Sequence, residues 1–179
     1  MCYRIFDELG ISPARSIDDT GKNLVIRKIM DSVKDELKII KAGRNQGFVS
    51  EVKSMVSELK QYGVKPDGLE EIAGKIEAGD RLKQKLIDIS RIYKAFEEYI
   101  NGRYTTVEDR PETMLSVMER SGFFKGADVV FDGFTGFTPV QYRIIEQIMK
   151  VARQVTITVT LPEDEPYNVI YGDEDLFGV

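Results

Sequence analysis

Asp132 is the residue best placed to do chemistry. It ends Ala127-Asp128-Val129-Val130-Phe131, a short and nearly continuous apolar run, and it precedes Gly133. Such a run is the pattern of a buried parallel strand, and open α/β sheets bind ligands just outside the carboxyl ends of their strands. A carboxylate at that spot is the usual holder of Mg²⁺ in nucleotide-hydrolysing folds, directly or through water. The plainer alternative is an acid that ends a strand and opens a turn with Gly133.

What the chain lacks removes most other chemistry. It has no His, which excludes imidazole acid–base work and His-built zinc sites. Its single Cys2 excludes a disulfide scaffold and a cysteine-built metal site. No Gly-x-x-x-x-Gly-Lys-Ser/Thr occurs, so there is no backbone cradle or lysine for β- and γ-phosphates. Gly43-Arg44-Asn45-Gln46-Gly47 lies between two helical patterns and reads as an interhelical loop. Carboxylate–metal chemistry remains, or no chemistry. A separate candidate is the row Tyr93, Phe96 and Tyr99 near Lys83, Lys85, Arg91, Lys94 and Arg103, a mix that suits single-strand binding. The same spacing on Tyr93 and Phe96 also suits a helix core.

The elements that must position these residues fall into two grammars. Before Gly102 the chain is helical. Leu24, Val25, Ile29, Val33, Leu37 and Ile40 predict one helix over 21–41, and Val49, Val52, Val56 and Leu59 another over 48–62. Pro66-Asp67-Gly68 predicts a turn, then Leu69, Ile72 and Ile76 a short helix. Leu82, Leu86, Ile89, Ile92, Tyr93, Phe96 and Ile100 predict a helix over 81–101, closed at Asn101-Gly102. These stripes can be buried only against each other, which makes a small bundle. After Gly102 come a helix start at Asp109-Arg110-Pro111, the strand before Asp132, a Gly/Thr-rich loop over 133–139, a helix over 139–152, and a strand over 155–161 that alternates apolar and hydroxyl residues. Strand, loop, helix and strand make one βαβ unit. Two strands do not make a stable sheet, so more of it must come from elsewhere.

With 42% hydrophobic and 31% charged residues the composition is that of a globular chain. No apolar run approaches the roughly 18 residues of a membrane helix, and no signal peptide opens the sequence. The net charge of −5 is uneven. Residues 21–103 hold 17 Lys/Arg against 13 Asp/Glu, whereas the last 18 residues hold six acids and no base. A mild surplus of bases suits either a phosphate-facing surface or an ordinary solvated helix face.

The longer string Val130-Phe131-Asp132-Gly133-Phe134-Thr135-Gly136-Phe137-Thr138-Pro139-Val140-Gln141-Tyr142 resembles the second helicase motif of UvrD-like helicases. There a hydrophobic strand ends in Asp-Glu, and a short loop leads to a helix that begins near a Gln-Tyr pair. With Gly133 in place of the Glu it is most similar to the B subunits of bacterial AddAB-type helicase–exodeoxyribonucleases. Cys2-Tyr3-Arg4-Ile5-Phe6-Asp7-Glu8-Leu9-Gly10 is similar to the helix after that family's early single-strand-contact motif, and the strand over 155–161 and Asp173–Phe177 follow the family's order.

The resemblance implies a mostly helical α/β fold: a helical insertion bundle attached to a partial RecA-like parallel sheet. Residues 1–19 would lead out of a helicase core, 20–122 would be the insertion, 123–161 the partial RecA-like layer and 162–179 the acidic tail of an internal fragment. Asp132 and Gln141 would be remnants of a nucleotide site. Asp132 would hold Mg²⁺ only in the intact protein, and Gln141 would have a positioning role. No residue is assigned to catalysis. In an active motor the acid binds Mg²⁺ and the following Glu orients the attacking water, which Gly133 cannot do. Thr135 stands where active relatives carry a Gln, and Phe134 and Phe137 are expected to pack against a neighbouring domain. ATP, Mg²⁺ and an iron–sulfur cluster belong to the parent family, and none is expected in this stretch, whose phosphate loop would lie upstream and whose nuclease domain and cluster cysteines would lie downstream. The implied partners are an AddA-type helicase/nuclease subunit and DNA, as single strand or duplex end, in the cytoplasm and away from membranes. The implied function is a DNA-contacting, motor-degenerate part of a double-strand-break-processing complex. Two other readings stay open: a self-contained helical protein-binding adaptor, and a motor fragment whose catalytic Glu lies elsewhere.

Overall fold

The computed structural model describes residues 1–12, 14–40, 46–77 and 79–159. Most of the glycine-bounded loop, the end of the last strand and the acidic tail lie outside the described residues. The elements in order are α1 (Cys2–Glu8), α2 (Asp19–Ser32), α3 (Gln46–Gln61), α4 (Pro66–Lys75), α5 (Arg81–Ile100), α6 (Arg110–Val117), β1 (Asp128–Phe134), α7 (Pro139–Val151) and β2 (Gln154–Val159). A short 3-10 turn, Val107–Asp109, precedes α6, and another, Met118–Arg120, follows it. No helix among the described residues is long and apolar enough to cross a membrane.

The chain divides into two compact units, each with its own buried apolar side chains. One is formed by residues 11–112. The other joins residues 1–10 to the described residues from Thr113 onward.

The first unit is a helical bundle. Ile26, Ile29, Val52, Val56, Leu69, Ile89, Ile92, Tyr93 and Phe96 form its centre. Asp18 starts α2 by accepting from Gly21 N at 2.7 Å, and Asp80 starts α5 by accepting from Leu82 N at 2.7 Å, so each cap satisfies an orphan donor of the first turn. Where the chain enters and leaves the unit, Ser16 and Thr105 form a parallel bridge. Ile17 N donates to Thr105 O at 2.9 Å and Thr105 N to Arg15 O at 3.0 Å.

The helix expected over 21–41 stops at Ser32. The cause is Asp88 of α5, fully buried, whose carboxylate accepts from Lys38 N, Ile39 N and Ile40 N at 2.7–3.0 Å. Arg91 of the same helix donates to Glu36 O at 2.6 Å. Backbone groups that a longer helix would use are bound to side chains instead, and Leu37 and Ile40 still reach the core. Pro66-Asp67-Gly68 is no separate turn but the opening of α4, with proline in its first turn. Leu24, Ile72 and Leu82, read as stripe positions, are exposed.

In the second unit, Ile5, Phe6, Met114 and Ile148 are fully buried. Glu8 at the end of α1 accepts from Gly122 N at 2.9 Å and from the Ser121 hydroxyl, and these donors hold its carboxyl below the usual range. β1 and β2 pair in parallel, with Asp128 opposite Gln154 and Phe131 opposite Ile157. The chain between them runs through α7, which makes the βαβ unit. β1 is not the buried strand expected: Asp128, Val130 and Asp132 share one face, and Val130 is 64% exposed. No described strand or helix covers Val130 on that face.

Candidate functional site

β1 runs two residues past Asp132, and the regular ladder with β2 ends just before it. Phe131 pairs with Ile157, but the next pair is Phe134 with Val159, so Asp132 and Gly133 form a bulge. Gly133 takes φ +76°, a conformation that side-chain-bearing residues rarely adopt. The bulge leaves the Asp132 carboxylate exposed, accepting from the Thr158 hydroxyl on β2.

The loop after it carries a cluster of aromatic rings, of which Phe134 and Tyr142 stay exposed. Phe134 and Phe137 stack at 5.0 Å, Phe131 meets each edge-on at 6.1 Å, and Tyr142 of α7 closes on Phe137 at 5.7 Å. The two loop phenylalanines therefore pack on their own βαβ unit, and each contact adds modestly beyond area burial. Thr138 begins α7. Its hydroxyl accepts from Gln141 N at 3.3 Å while Gln141 Oε1 accepts from Thr138 N at 2.7 Å, a reciprocal capping box. The Gln141 carbonyl oxygen is thus used in capping α7. Arg153 makes a two-pronged pair with Asp128 where the strands begin, which lowers the aspartate's pKa.

Asp132 and a threonine hydroxyl fit Mg²⁺ only in its usual nucleotide-bound mode, in which phosphates and waters supply most ligands. Among the described residues no three His, Cys, Asp or Glu side chains converge on a metal position. An iron–sulfur cluster does not fit this chain, because its four cysteine ligands cannot come from the lone Cys2.

The row of aromatics on α5 divides. Tyr93 and Phe96 are core. The Tyr93 hydroxyl donates to Val64 O at 3.1 Å, and burial pushes its pKa up. Tyr99 is only half-buried, with Lys28 Nζ 5.1 Å and the Arg103 guanidinium 5.2 Å from its ring centre.

Sequence reading missed a set of buried charges. Lys22 of α2 contacts Asp19 at 2.8 Å and Glu108 at 2.9 Å, and Lys60 of α3 contacts Asp109 at 2.7 Å and also Glu97. For Glu108 and Asp109, burial is the largest influence and pushes the carboxyls up, but the hydrogen bonds and charge of Lys22 and Lys60 together with bonds from Thr106 and the backbone outweigh it and hold both low. For Lys22, burial pulls the ammonium down, and Asp19 and Glu108 together raise it. The missed signal was spacing: Lys22 lies three, four and seven residues before Val25, Ile26 and Ile29, in register with the apolar stripe.

The class defined by these features is an α/β protein whose parallel strand–helix–strand unit carries a lone carboxylate at a bulged strand end, with a helical bundle between its two chain segments. The family model "ADDB, N-terminal" matches residues 1–179. The B subunit of the ATP-dependent helicase/deoxyribonuclease of Lachnoclostridium phytofermentans is 36% identical over 166 residues, covering 92% of this chain and 14% of the relative. The same-named proteins of Caldanaerobacter subterraneus subsp. tengcongensis and Clostridioides difficile are 40% identical over 162 residues and 34% identical over 174, covering 90% and 97% of this chain. The chain spans 14–15% of the length of these relatives. It belongs to the AddB N-terminal family.

Proposed function

We propose that this chain is part of a helicase/deoxyribonuclease B subunit in which the βαβ unit is a RecA-like nucleotide site that has lost its motor function, while the subunit contacts DNA during double-strand-break processing. The observation that carries the reading is the pairing of Asp132, an acid able to face a nucleotide-bound Mg²⁺, with Gly133, which has neither a side chain to orient water nor a backbone conformation suited to one. Removing such a group costs on the order of a hundredfold or more in rate. The relatives are named as one subunit of a helicase/deoxyribonuclease, which supports an AddA-type partner. ATP and Mg²⁺ belong to the intact protein in this reading, with Asp132 the described residue that would hold the ion. Mg²⁺, when bound, supplies charge neutralisation for the phosphates.

The test is DNA binding by the full-length subunit, read by fluorescence anisotropy on single-stranded and forked DNA across salt. Binding that weakens steeply with salt supports the reading. A protein that ignores DNA yet captures a protein partner would instead be the helical adaptor.

A further inference from the structure

Two of the grooves in the surface of the helical bundle differ in charge in one decisive respect. The first, of about 360 Å³, is lined by Asp19, Lys22, Lys53, Glu58 and Glu108. Its lysines are already neutralised: Lys22 by Asp19 and Glu108, and Lys53 by Asp19 at 3.1 Å. The second, of about 380 Å³, is lined by Arg15, Asp18, Leu24, Tyr99 and Tyr104 among others. Lys28 and Arg103 stand beside the Tyr99 ring. Among the described residues none of Arg15, Lys28 and Arg103 pairs with a carboxylate. The one acid in the lining, Asp18, is engaged as the cap of α2.

We propose that this second groove binds single-stranded nucleic acid, with bases against Tyr99, Tyr104 and Leu24 and phosphates against Arg15, Lys28 and Arg103. Rings interleaved with unneutralised cations are what a single strand requires, because every base has a stacking face and every link a negative charge. Leu24 is 65% exposed and so offers apolar surface at no cost to the core. The platform is held in place: Tyr99 and Tyr104 pack on the hydrophobic core, and the Ser16–Thr105 bridge ties Arg15 to the chain segment that carries Tyr104. An acidic protein segment would satisfy the cations, but it has no need of two rings beside them.

The inference rests on the DNA-contacting role proposed above, and its test separates the two. The variant Arg15→Gln/Lys28→Gln/Arg103→Gln of the full-length subunit changes only exposed side chains. Its affinity for a 20-nucleotide oligothymidylate is expected to fall at least tenfold. The slope of log affinity against log salt should shrink by about 2, at roughly 0.7 per lost phosphate contact. Tyr99→Leu/Tyr104→Leu, which keeps apolar bulk against the core, should weaken binding and leave that slope unchanged. If the wild type binds and the triple variant matches it within twofold at an equal slope, the groove assignment is overturned while the broader reading stands. A triple variant that keeps DNA but loses a protein partner overturns it in favour of an acidic peptide. If the wild type itself fails to bind, both readings fall.

Discussion

Gly133→Glu supplies the side chain that an active motor of the proposed kind places after its metal-binding acid, so its outcome separates a missing group from an unsuited backbone. Gly133 has φ +76°, and apart from its chain neighbours no described atom lies within 4 Å of the position an added Cβ would take. The cost is therefore conformational and not steric, about 1–2 kcal/mol for a side-chain-bearing residue in the left-handed region. At about 2–4 °C per kcal/mol for a protein of this size, the unfolding midpoint should drop by about 2–8 °C. Gly133→Ala should cost the same. So should Gly126→Ala, at φ +69° with equally open surroundings but away from the bulge. Differential scanning calorimetry of the three variants reads this. DNA-stimulated ATP hydrolysis by the full-length Gly133→Glu subunit, alongside a hydrolysis-dead partner, should stay at the wild-type background, because the bulge does not present position 133 as a regular strand would. A rise of tenfold or more, or a Glu variant as stable as wild type, would refute the argument from backbone geometry.

Two further predictions concern the helical bundle. Asp88→Ala removes a fully buried carboxylate that accepts from three consecutive backbone N–H groups. It should destabilise the fold by about 3 kcal/mol, since each stranded donor carries a desolvation penalty, and hydrogen exchange at Lys38, Ile39 and Ile40 should quicken together. The depressed carboxyls of Glu108 and Asp109 set an acid limit. A folded pKa below the unfolded one stabilises fully above the unfolded value and is lost as pH falls through the folded one. Urea midpoints should therefore hold near neutrality and decline as pH drops below the ordinary values of 4.5 and 3.8, with a shallower decline in Glu108→Gln.

Legibility in the sequence followed the range of the interactions. The extent of α5 was readable, because its apolar spacing and its Asn101-Gly102 ending act within the helix, although its first stripe position, Leu82, is exposed. The βαβ order was readable for the same reason, and Thr138, Pro139 and Gln141 mark the start of α7 locally. The end of α2 was not readable: what stops it is a carboxylate some fifty residues away on α5. The exposure of β1 was hidden too, since an apolar run does not record whether its faces find a cover. At the candidate site, the acid at 132 and the glycine beside it could be seen in the letters. The bulge and the bond to Thr158 could not, because both depend on where β2 falls in register. The Tyr99 groove was half visible. The tyrosine in the last turn of α5 and Arg103 just past its end are close in sequence, whereas Arg15 and Lys28 arrive from distant sequence.

The most direct test of the reading is whether Asp132 supports turnover. Full-length subunit carrying Asp132→Asn, assembled with a hydrolysis-dead partner, should hydrolyse ATP at the same background rate as wild-type subunit in that assembly, with or without DNA. DNA-stimulated turnover by the wild type that collapses in Asp132→Asn would contradict the account, because this α/β unit would then be a working motor.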